Sequence, residues 1–252
     1  MAFCSLNRTF VPMNDKTSTP ILLSEMLSLR NEEEARGLMR FFKTGKGQYG
    51  EGDQFLGIRV PKTREVVKRL WRETTIEDLK LCIESPWHEV RLAALLALIQ
   101  QFKHNRKHPD KQKGCIDFYL AHTDRINNWD LVDLSCYELL GTWLLDKDRT
   151  VLYDLARNGR TIWEQRIGIV STMQFLRHNQ LDETYAIADI LLTHAHDLIH
   201  KAVGWLLREA GKRDEQRLIH YLNERHATMP RTMLRYAIER LPEDIRQQYL
   251  KH

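Results

Sequence analysis

Apolar residues recur at spacings of three and four along much of this chain, and that periodicity limits its fold more than any other feature of the sequence. Such spacing places the residues on one side of an α-helix. It holds over three segments, 129–145, 198–212 and 232–241. The alternation of apolar and polar residues that is typical of β-strands is scarce. The sequence therefore predicts an all-α fold.

Candidate helix starts recur at intervals that are typical of helical-repeat proteins. They lie near Trp87, Trp129, Trp163, Leu198 and Pro230. The first two intervals are 42 and 34 residues. Periods of this length suit helix-pair repeats of the HEAT or armadillo kind, which bury their apolar faces by stacking on one another. We predict a single domain over 21–252, a right-handed solenoid of HEAT-like repeats with a concave basic face, and a flexible leader over 1–20.

Composition excludes several classes of protein. The chain has 38 Lys and Arg against 34 Asp and Glu, a net charge of +4 that only weakly indicates a nucleic-acid partner. Its four cysteines form no CxxC pair, so we expect reduced thiols rather than disulfides or a zinc site. No apolar run is long enough for a signal peptide or a bilayer span. We expect a cytoplasmic protein with no membrane partner.

Charged residues occupy equivalent positions near the start of the second helix of successive repeats. Four of the repeats carry a cation there, namely Arg91, Arg166, Lys201 and Arg231. A row of cations on one curved face can bind phosphates and displace their counterions. The repeat that starts at 129 carries Asp133 instead. A carboxylate is costly beside a polyanion, so Asp133 is better explained if it meets a positive charge there.

Aromatic residues accompany these charges. Lys201, Trp205, Arg208 and Lys212 form one helical stripe opposite the apolar stripe of the same helix. A tryptophan among cations suits contact with sugar, base and backbone of a nucleic acid.

The same pairing of an aromatic with a charge recurs elsewhere. Trp129 lies one turn before Asp133, and Trp163 lies three residues before Arg166. Arg235 lies one helical turn after Arg231, and the two like charges repel each other unless they share an anion.

Several runs resemble the AlkD family of bacterial DNA alkylation repair enzymes, which are DNA glycosylases built from HEAT-like repeats. The resemblance covers approximately Leu22 to the C-terminus. It rests on the runs Asn127-Asn128-Trp129-Asp130-Leu131-Val132-Asp133, Lys201-Ala202-Val203-Gly204-Trp205-Leu206-Leu207-Arg208-Glu209, Met229-Pro230-Arg231-Thr232-Met233-Leu234-Arg235-Tyr236-Ala237 and Phe55-Leu56-Gly57-Ile58-Arg59-Val60-Pro61.

This resemblance implies a catalytic role for Asp133, sugar contacts from Trp129 and Trp205, and a cleft position for Arg166. It implies N3- and N7-alkylated purines in duplex DNA as substrates, and an enzyme that need not flip the lesion into a pocket, unlike most base-modifying enzymes. We expect a monomer. The chain departs from the family in the glycine-rich segment Thr44 to Gln54. Tyr49 and Phe55 are the candidates to replace an aromatic that contacts DNA there.

The expected chemistry needs no cofactor and no metal. An N3- or N7-alkylated purine already carries positive charge, so it leaves without an acid catalyst, and positive charge develops on the deoxyribose. A fixed carboxylate at Asp133 can stabilise that charge and orient the attacking water. The faces of Trp129 and Trp205 favour a cation, while Arg166 and Lys201 hold phosphates. The product is an abasic site.

Other interpretations of these residues stay open. Asp133 is also compatible with a surface or capping carboxylate, the tryptophans with core packing, and Arg166 with an ion pair to Asp133 or Glu164. Two further histidines at helical spacing, His196 and His200, follow His194, but no HExxH motif accompanies them. Alternative functions are a non-catalytic module that binds damaged or branched DNA, and a protein–protein scaffold.

Overall fold

The structure is a computed structural model that describes residues 19–251, and over this range it contains fifteen α-helices and no β-strand. A 3₁₀ turn (Thr123–Arg125) and a π-helical turn (Tyr137–Gly141) complete the regular structure. The helices are α1 (Ile21–Ser28), α2 (Glu32–Phe41), α3 (Val60–Leu70), α4 (Ile76–Ile83), α5 (His88–His104), α6 (Pro109–Ala121), α7 (Trp129–Asp133), α8 (Thr150–Asn158), α9 (Ile162–Val170), α10 (Met173–Arg177), α11 (Asp182–Ile190), α12 (Asp197–Gly211), α13 (Glu215–Arg225), α14 (Arg231–Ile238) and α15 (Glu243–Leu250).

These helices are stacked as a series of pairs. One layer runs through α5, α7, α9, α12 and α14, each of which packs on the next. A second layer packs against it, with α4 and α6 on α5, α8 on α9, and α11 and α13 on α12. The prediction of an all-α repeat solenoid is confirmed.

The predicted apolar stripes form the core. On α12 the stripe of Ile199, Val203, Leu206 and Ala210 is fully buried. A close approach of α12 to α14 explains the glycine in the middle of α12. A Cβ atom on Gly204 would lie 2.5 Å from the carbonyl oxygen of the buried Met233, so only glycine fits this contact without a shift.

Local signals set several helix starts. The predicted starts near Trp87 and Pro230 are confirmed, because these residues directly precede α5 and α14. Asn31 and Thr161 cap α2 and α9, each with a side-chain oxygen that accepts from backbone N–H groups of the first turn. Thr75 completes a capping box at the start of α4.

The helix predicted over 129–145 is interrupted, which corrects that prediction. α7 ends at Asp133, and the chain resumes a helical path through a π-helical turn at Tyr137–Gly141. The Ser135 hydroxyl donates to the carbonyl of Leu131 at 2.5 Å, a back-bond that bends helices. The apolar stripe survives the interruption, and Cys136 within it is fully buried. Such π turns occur often at functional sites.

Most of the predicted leader, residues 1–18, lies outside the described residues. Of its remainder, Pro20 is buried and directly precedes α1. The domain boundary at residue 21 stays a prediction. Among the helices of residues 19–251, none is long and apolar enough to cross a membrane.

Candidate nucleic-acid interface

A cleft of about 810 Å³ opens between the end of α2 and the exposed side of α12, and we call it the tryptophan cleft. Its lining contains both aromatic and cationic side chains. The lining residues are Phe41, Lys43, Tyr49, Trp129, Arg166, His196, Asp197, Leu198, Lys201, Trp205, Arg208 and Tyr236. Six residues predicted for the site, from four separate segments of the chain, thus meet in one cleft.

A second, smaller cavity of about 440 Å³ lies on the other side of Trp129. We call it the apolar cavity, because most of its wall consists of side chains such as Phe42, Phe55 and Leu92. Phe41 and Trp129 line both spaces and form the wall between them. Asp133 lines the apolar cavity and is not among the residues that line the tryptophan cleft.

Asp133 is bound by Arg166 in a bidentate ion pair. Nε of Arg166 lies 2.8 Å from Oδ1, and Nη2 lies 2.7 Å from Oδ2. The third guanidinium nitrogen, Nη1, donates to the carbonyl oxygen of Leu198 at the start of α12. Arg166 therefore fixes the carboxylate to α9 and α12, and the side chain of Asp133 remains 16% exposed.

Burial raises the pKa of Asp133 above its ordinary value, and the charge of Arg166 opposes that shift without cancelling it. The carboxylate of Asp130, one turn away along the helix surface, raises this pKa further. A carboxylate in this state is short of positive charge, and a cationic group brought beside it would be stabilised.

The two predicted sugar-contacting tryptophans are half-buried and face the same cleft from different helices. Trp129 is held by aromatic neighbours, with its ring 5.4 Å from that of Phe42 in a stacked arrangement and 6.0 Å from that of Phe41 edge to face. Trp205 projects from the middle of α12. Both present ring surface to the cleft, as contact with a sugar requires.

The cations of the α12 stripe are present but paired with carboxylates. Lys201 lies 2.7 Å from Asp197, which also lines the cleft. Arg208 pairs with Glu209 and with Glu239 of the segment after α14. Lys212 pairs with Glu209 at 2.7 Å and is exposed. Lys212 is not among the residues that line the tryptophan cleft.

Three residues predicted to contact DNA are buried in the protein instead. Arg91 is 3% exposed, and its guanidinium lies 2.5 Å from Asp53 and 3.0 Å from the side-chain oxygen of Asn127. Phe55 is buried in the wall of the apolar cavity. Trp163 is buried with its ring 6.0 Å from that of Tyr49. With at most 6% of each residue exposed, the three have too little accessible surface for the predicted contacts, so we exclude them from the interface.

The two arginines predicted on α14 lie outside the tryptophan cleft. Arg231 donates to the backbone carbonyls of Tyr249 and Leu250 near the C-terminus of α15. Arg235 is exposed on the same helix. Contact of either residue with DNA stays a prediction.

A buried polar network lies behind Trp129, and the sequence analysis did not identify it. His88 is 1% exposed, with Nδ1 2.9 Å from Asp53 and Nε2 2.9 Å from Asp130. Burial opposes the protonation of His88, but the two carboxylates outweigh it and raise its pKa to about 9. The ring of Phe55 stacks on His88 with centroids 4.4 Å apart. The network ties the 43–58 loop and α5 to the first turn of α7.

Glu89, the next residue of α5, organises the same loop. Its carboxylate accepts from the backbone N–H groups of Leu56, Gly57 and Ile58 at 2.8, 2.8 and 3.1 Å. Gly57 has a positive φ of 87°, and a Cβ atom there would lie 2.1 Å from the carbonyl of Asn31. This turn brings Tyr49 and Phe55 to their places beside the cleft and the apolar cavity.

Six cleft residues were not predicted for the site from the sequence, namely Phe41, Lys43, His196, Asp197, Leu198 and Tyr236. Phe41 is 63% exposed, although its ring contacts Trp129. The signal that could have found it is the aromatic pair Phe41-Phe42 at the end of a helix whose other residues are mostly charged.

The three neighbouring histidines are engaged with protein groups. Nε2 of His194 lies 2.9 Å from Gln165, and Nδ1 of His196 accepts from the backbone N–H of Leu198. His200 contacts the carbonyl of His194. Over residues 19–251, no group of three or more His, Cys, Asp or Glu side chains is arranged to hold a metal ion.

The stacked helix pairs define a helical-repeat protein. Its cleft is lined by two tryptophans and several cations. The family model for the DNA alkylation repair enzyme matches residues 22–241. The chain therefore belongs to the DNA alkylation repair enzyme family, which supports a role in the repair of alkylated DNA.

The chain is also similar in fold to a solved structure, the predicted DNA alkylation repair enzyme from Enterococcus faecalis. The TM-score is 0.66 at 18% identity, over 85% of this chain and 97% of the other. No match to a curated protein was found.

Proposed function

We propose that the protein is a monofunctional DNA glycosylase that acts as a monomer on N3- and N7-alkylated purines in duplex DNA and leaves an abasic site. The observation that carries this proposal is the Asp133–Arg166 pair beside the two tryptophans of the cleft. A largely buried carboxylate with a raised pKa, bound by an arginine that lines the cleft together with both tryptophans, suits the stabilisation of a sugar cation.

In the proposed reaction, the bond between C1′ and the purine nitrogen breaks, and its electron pair leaves with the base. The departing base becomes neutral because it entered with a positive charge. Positive charge develops on the deoxyribose, where Asp133 and the ring faces of Trp129 and Trp205 stabilise it. Water then adds to C1′ and loses a proton to Asp133 or to solvent. These steps need no cofactor.

Arg166 has a positioning role in this mechanism. Its two hydrogen bonds to Asp133 fix the orientation of the carboxylate relative to the guanidinium. Its hydrogen bond to the carbonyl of Leu198 anchors the pair to the helix that carries Trp205. Each carboxylate oxygen keeps a second lone pair for the sugar or the water. Lys201 and Arg208 supply phosphate contacts from the opposite wall after exchanging their carboxylate partners for DNA.

A specific observation favours a second candidate, a non-catalytic module that binds damaged or branched DNA. Both oxygens of Asp133 are bound by Arg166, and Asp133 lines the apolar cavity rather than the tryptophan cleft. A purely structural ion pair would have the same geometry. Base release separates the two functions, because only a glycosylase liberates free purine.

The test compares wild type with Asp133→Asn for release of 7-methylguanine and 3-methyladenine from methylated duplex DNA at equal DNA occupancy. The matched control is Asp189→Asn, which breaks a bidentate pair with Arg225 of similar geometry, at 2.6 and 3.0 Å, on α11. We expect wild type and Asp189→Asn to release base and Asp133→Asn to lose roughly a hundredfold or more, the scale of losing an electrostatic transition-state contact.

If neither wild type nor control releases base while both bind DNA, the protein is the non-catalytic module. If base is released and the DNA strand is cut, or if borohydride traps a covalent complex, the monofunctional assignment is wrong and a lysine of the cleft acts as nucleophile.

A further inference from the structure

The cations that face the candidate interface fall into two groups that differ in their partners. On α12, the cations Lys201, Arg208 and Lys212 are each paired with a carboxylate. On the other wall, α2 and the loop after it carry four exposed cations, namely Arg36, Arg40, Lys43 and Lys46. None of these four has a carboxylate within ion-pair distance among residues 19–251. We call this second group the α2 basic patch.

The α2 basic patch reaches the tryptophan cleft at Lys43. Phe41 ends α2 and lines the cleft, and so does Lys43 two residues later. A separate groove of about 700 Å³ lies along α2 and the loop after Lys43, and its lining includes Arg36 and Arg40. Glu33 is the one acidic side chain that lines this groove. A duplex seated on the tryptophans would therefore extend its backbone toward these arginines.

The arrangement within the patch is itself unfavourable without an anion. Arg36 and Arg40 are one helical turn apart, and like charges at this spacing repel each other. Lys43 has a positive φ of 53° and places its ammonium 6.0 Å from the ring centre of Tyr49, on the rim of the cleft. A row of phosphates would relieve the repulsion along this wall.

We propose that the α2 basic patch binds the backbone phosphates of the DNA duplex beside the lesion and provides the main electrostatic contribution to DNA affinity. A cation already paired with a carboxylate has to give up that pair when it binds a phosphate, so its net gain is small. An unpaired cation neutralises a phosphate and releases a condensed counterion at no such cost. The proposal rests on the proposed DNA substrate but not on catalysis.

The experiment measures the affinity for an undamaged duplex as a function of salt concentration, for wild type and for Arg36→Gln/Arg40→Gln. The control is Arg106→Gln/Lys107→Gln, which removes the same charge from an exposed turn after α5. The slope of log K against log salt is negative, and each lost phosphate contact reduces its magnitude by about 0.9. We expect the magnitude of the slope to be about 1.8 smaller in the patch variant than in wild type. The factor by which K falls between 50 and 200 mM salt should then be roughly tenfold smaller for the variant.

An unchanged slope in the patch variant, or an equal change in the control, overturns the proposal. Lys201→Gln gives an internal comparison, and a slope change of about 0.9 there, the full value for one phosphate contact, would also contradict the proposal. Base release is measured separately. If no base is released and the slope falls, the patch stands and the glycosylase proposal fails. If base is released and the slope is unchanged, the glycosylase proposal stands and the patch proposal fails.

Discussion

His88 offers the most quantitative prediction, because a buried charge there joins three parts of the chain. Its two ring nitrogens each contact a carboxylate, Asp53 from the 43–58 loop and Asp130 from α7. Arg91 also binds Asp53 and is the other cation that faces the network from α5. Replacement of His88 by glutamine removes the positive charge and keeps one donor, so the variant tests the charge more than the volume.

The magnitude follows from the change in pKa on folding. Burial lowers the pKa of His88, the two carboxylates raise it more, and it reaches about 9 against an ordinary value of 6.5. A pKa that is higher in the folded state stabilises the fold fully below pH 6.5, and this contribution is lost as the pH rises through 9. The difference corresponds to roughly 3 kcal/mol of unfolding free energy.

The assay is urea unfolding of wild type and His88→Gln from pH 6 to pH 10, with intrinsic fluorescence as the probe. We expect wild type to exceed the variant by roughly 3 kcal/mol near pH 6 and the gap to close above pH 9. The control is His220→Gln, whose side chain is 76% exposed and paired with Glu224 on the surface of α13. A gap that stays constant across this range would refute a charged His88.

Three further predictions concern other parts of the chain. Base release should fall as the pH drops through the pKa of Asp133, which burial holds above 3.8, and a pH–rate profile measures this loss of the carboxylate. Gly204→Ala should lower the unfolding free energy by roughly 1–3 kcal/mol, because its Cβ collides with α14, whereas Gly114→Ala meets no atom within 4 Å and should not destabilise; urea unfolding compares them. Cys82 is buried with a pKa raised to about 12, so iodoacetamide at pH 8 should label it only after unfolding, as peptide mass spectrometry would detect.

Much of the fold could be predicted from the sequence because the signals were local. The spacing of apolar residues on α12 and α14 defines which side of each helix is buried, and a helix presents that side whatever its neighbours are. The starts of α5 and α14 follow from a proline and its preceding residue. The interruption after Asp133 could not be predicted, since the apolar residues keep a helical spacing across it.

The roles of charged residues were harder to predict because they depend on partners far along the chain. Arg91 matched the row of cations in position, yet its partner Asp53 lies 38 residues earlier in a loop without a recognisable motif. Lys201 and Arg208 did lie on the predicted stripe, but their charges are matched by Asp197 and Glu239. Spacing identifies which face a cation occupies and does not show whether another element neutralises it.

The raised pKa of Asp133 links the stability of the fold to the proposed chemistry. Because burial disfavours the ionised carboxylate more than Arg166 favours it, the unliganded protein keeps this charge at a cost in folding free energy. For a purely structural contact, two apolar side chains of similar size would cost less folding free energy than this ion pair. A charge maintained at a cost suits a site that meets further positive charge only when substrate is bound. In the proposed reaction, the deoxyribose that loses an alkylated purine would supply that charge. On this argument, a neutral replacement at 133 weakens the reaction far more than it weakens the fold.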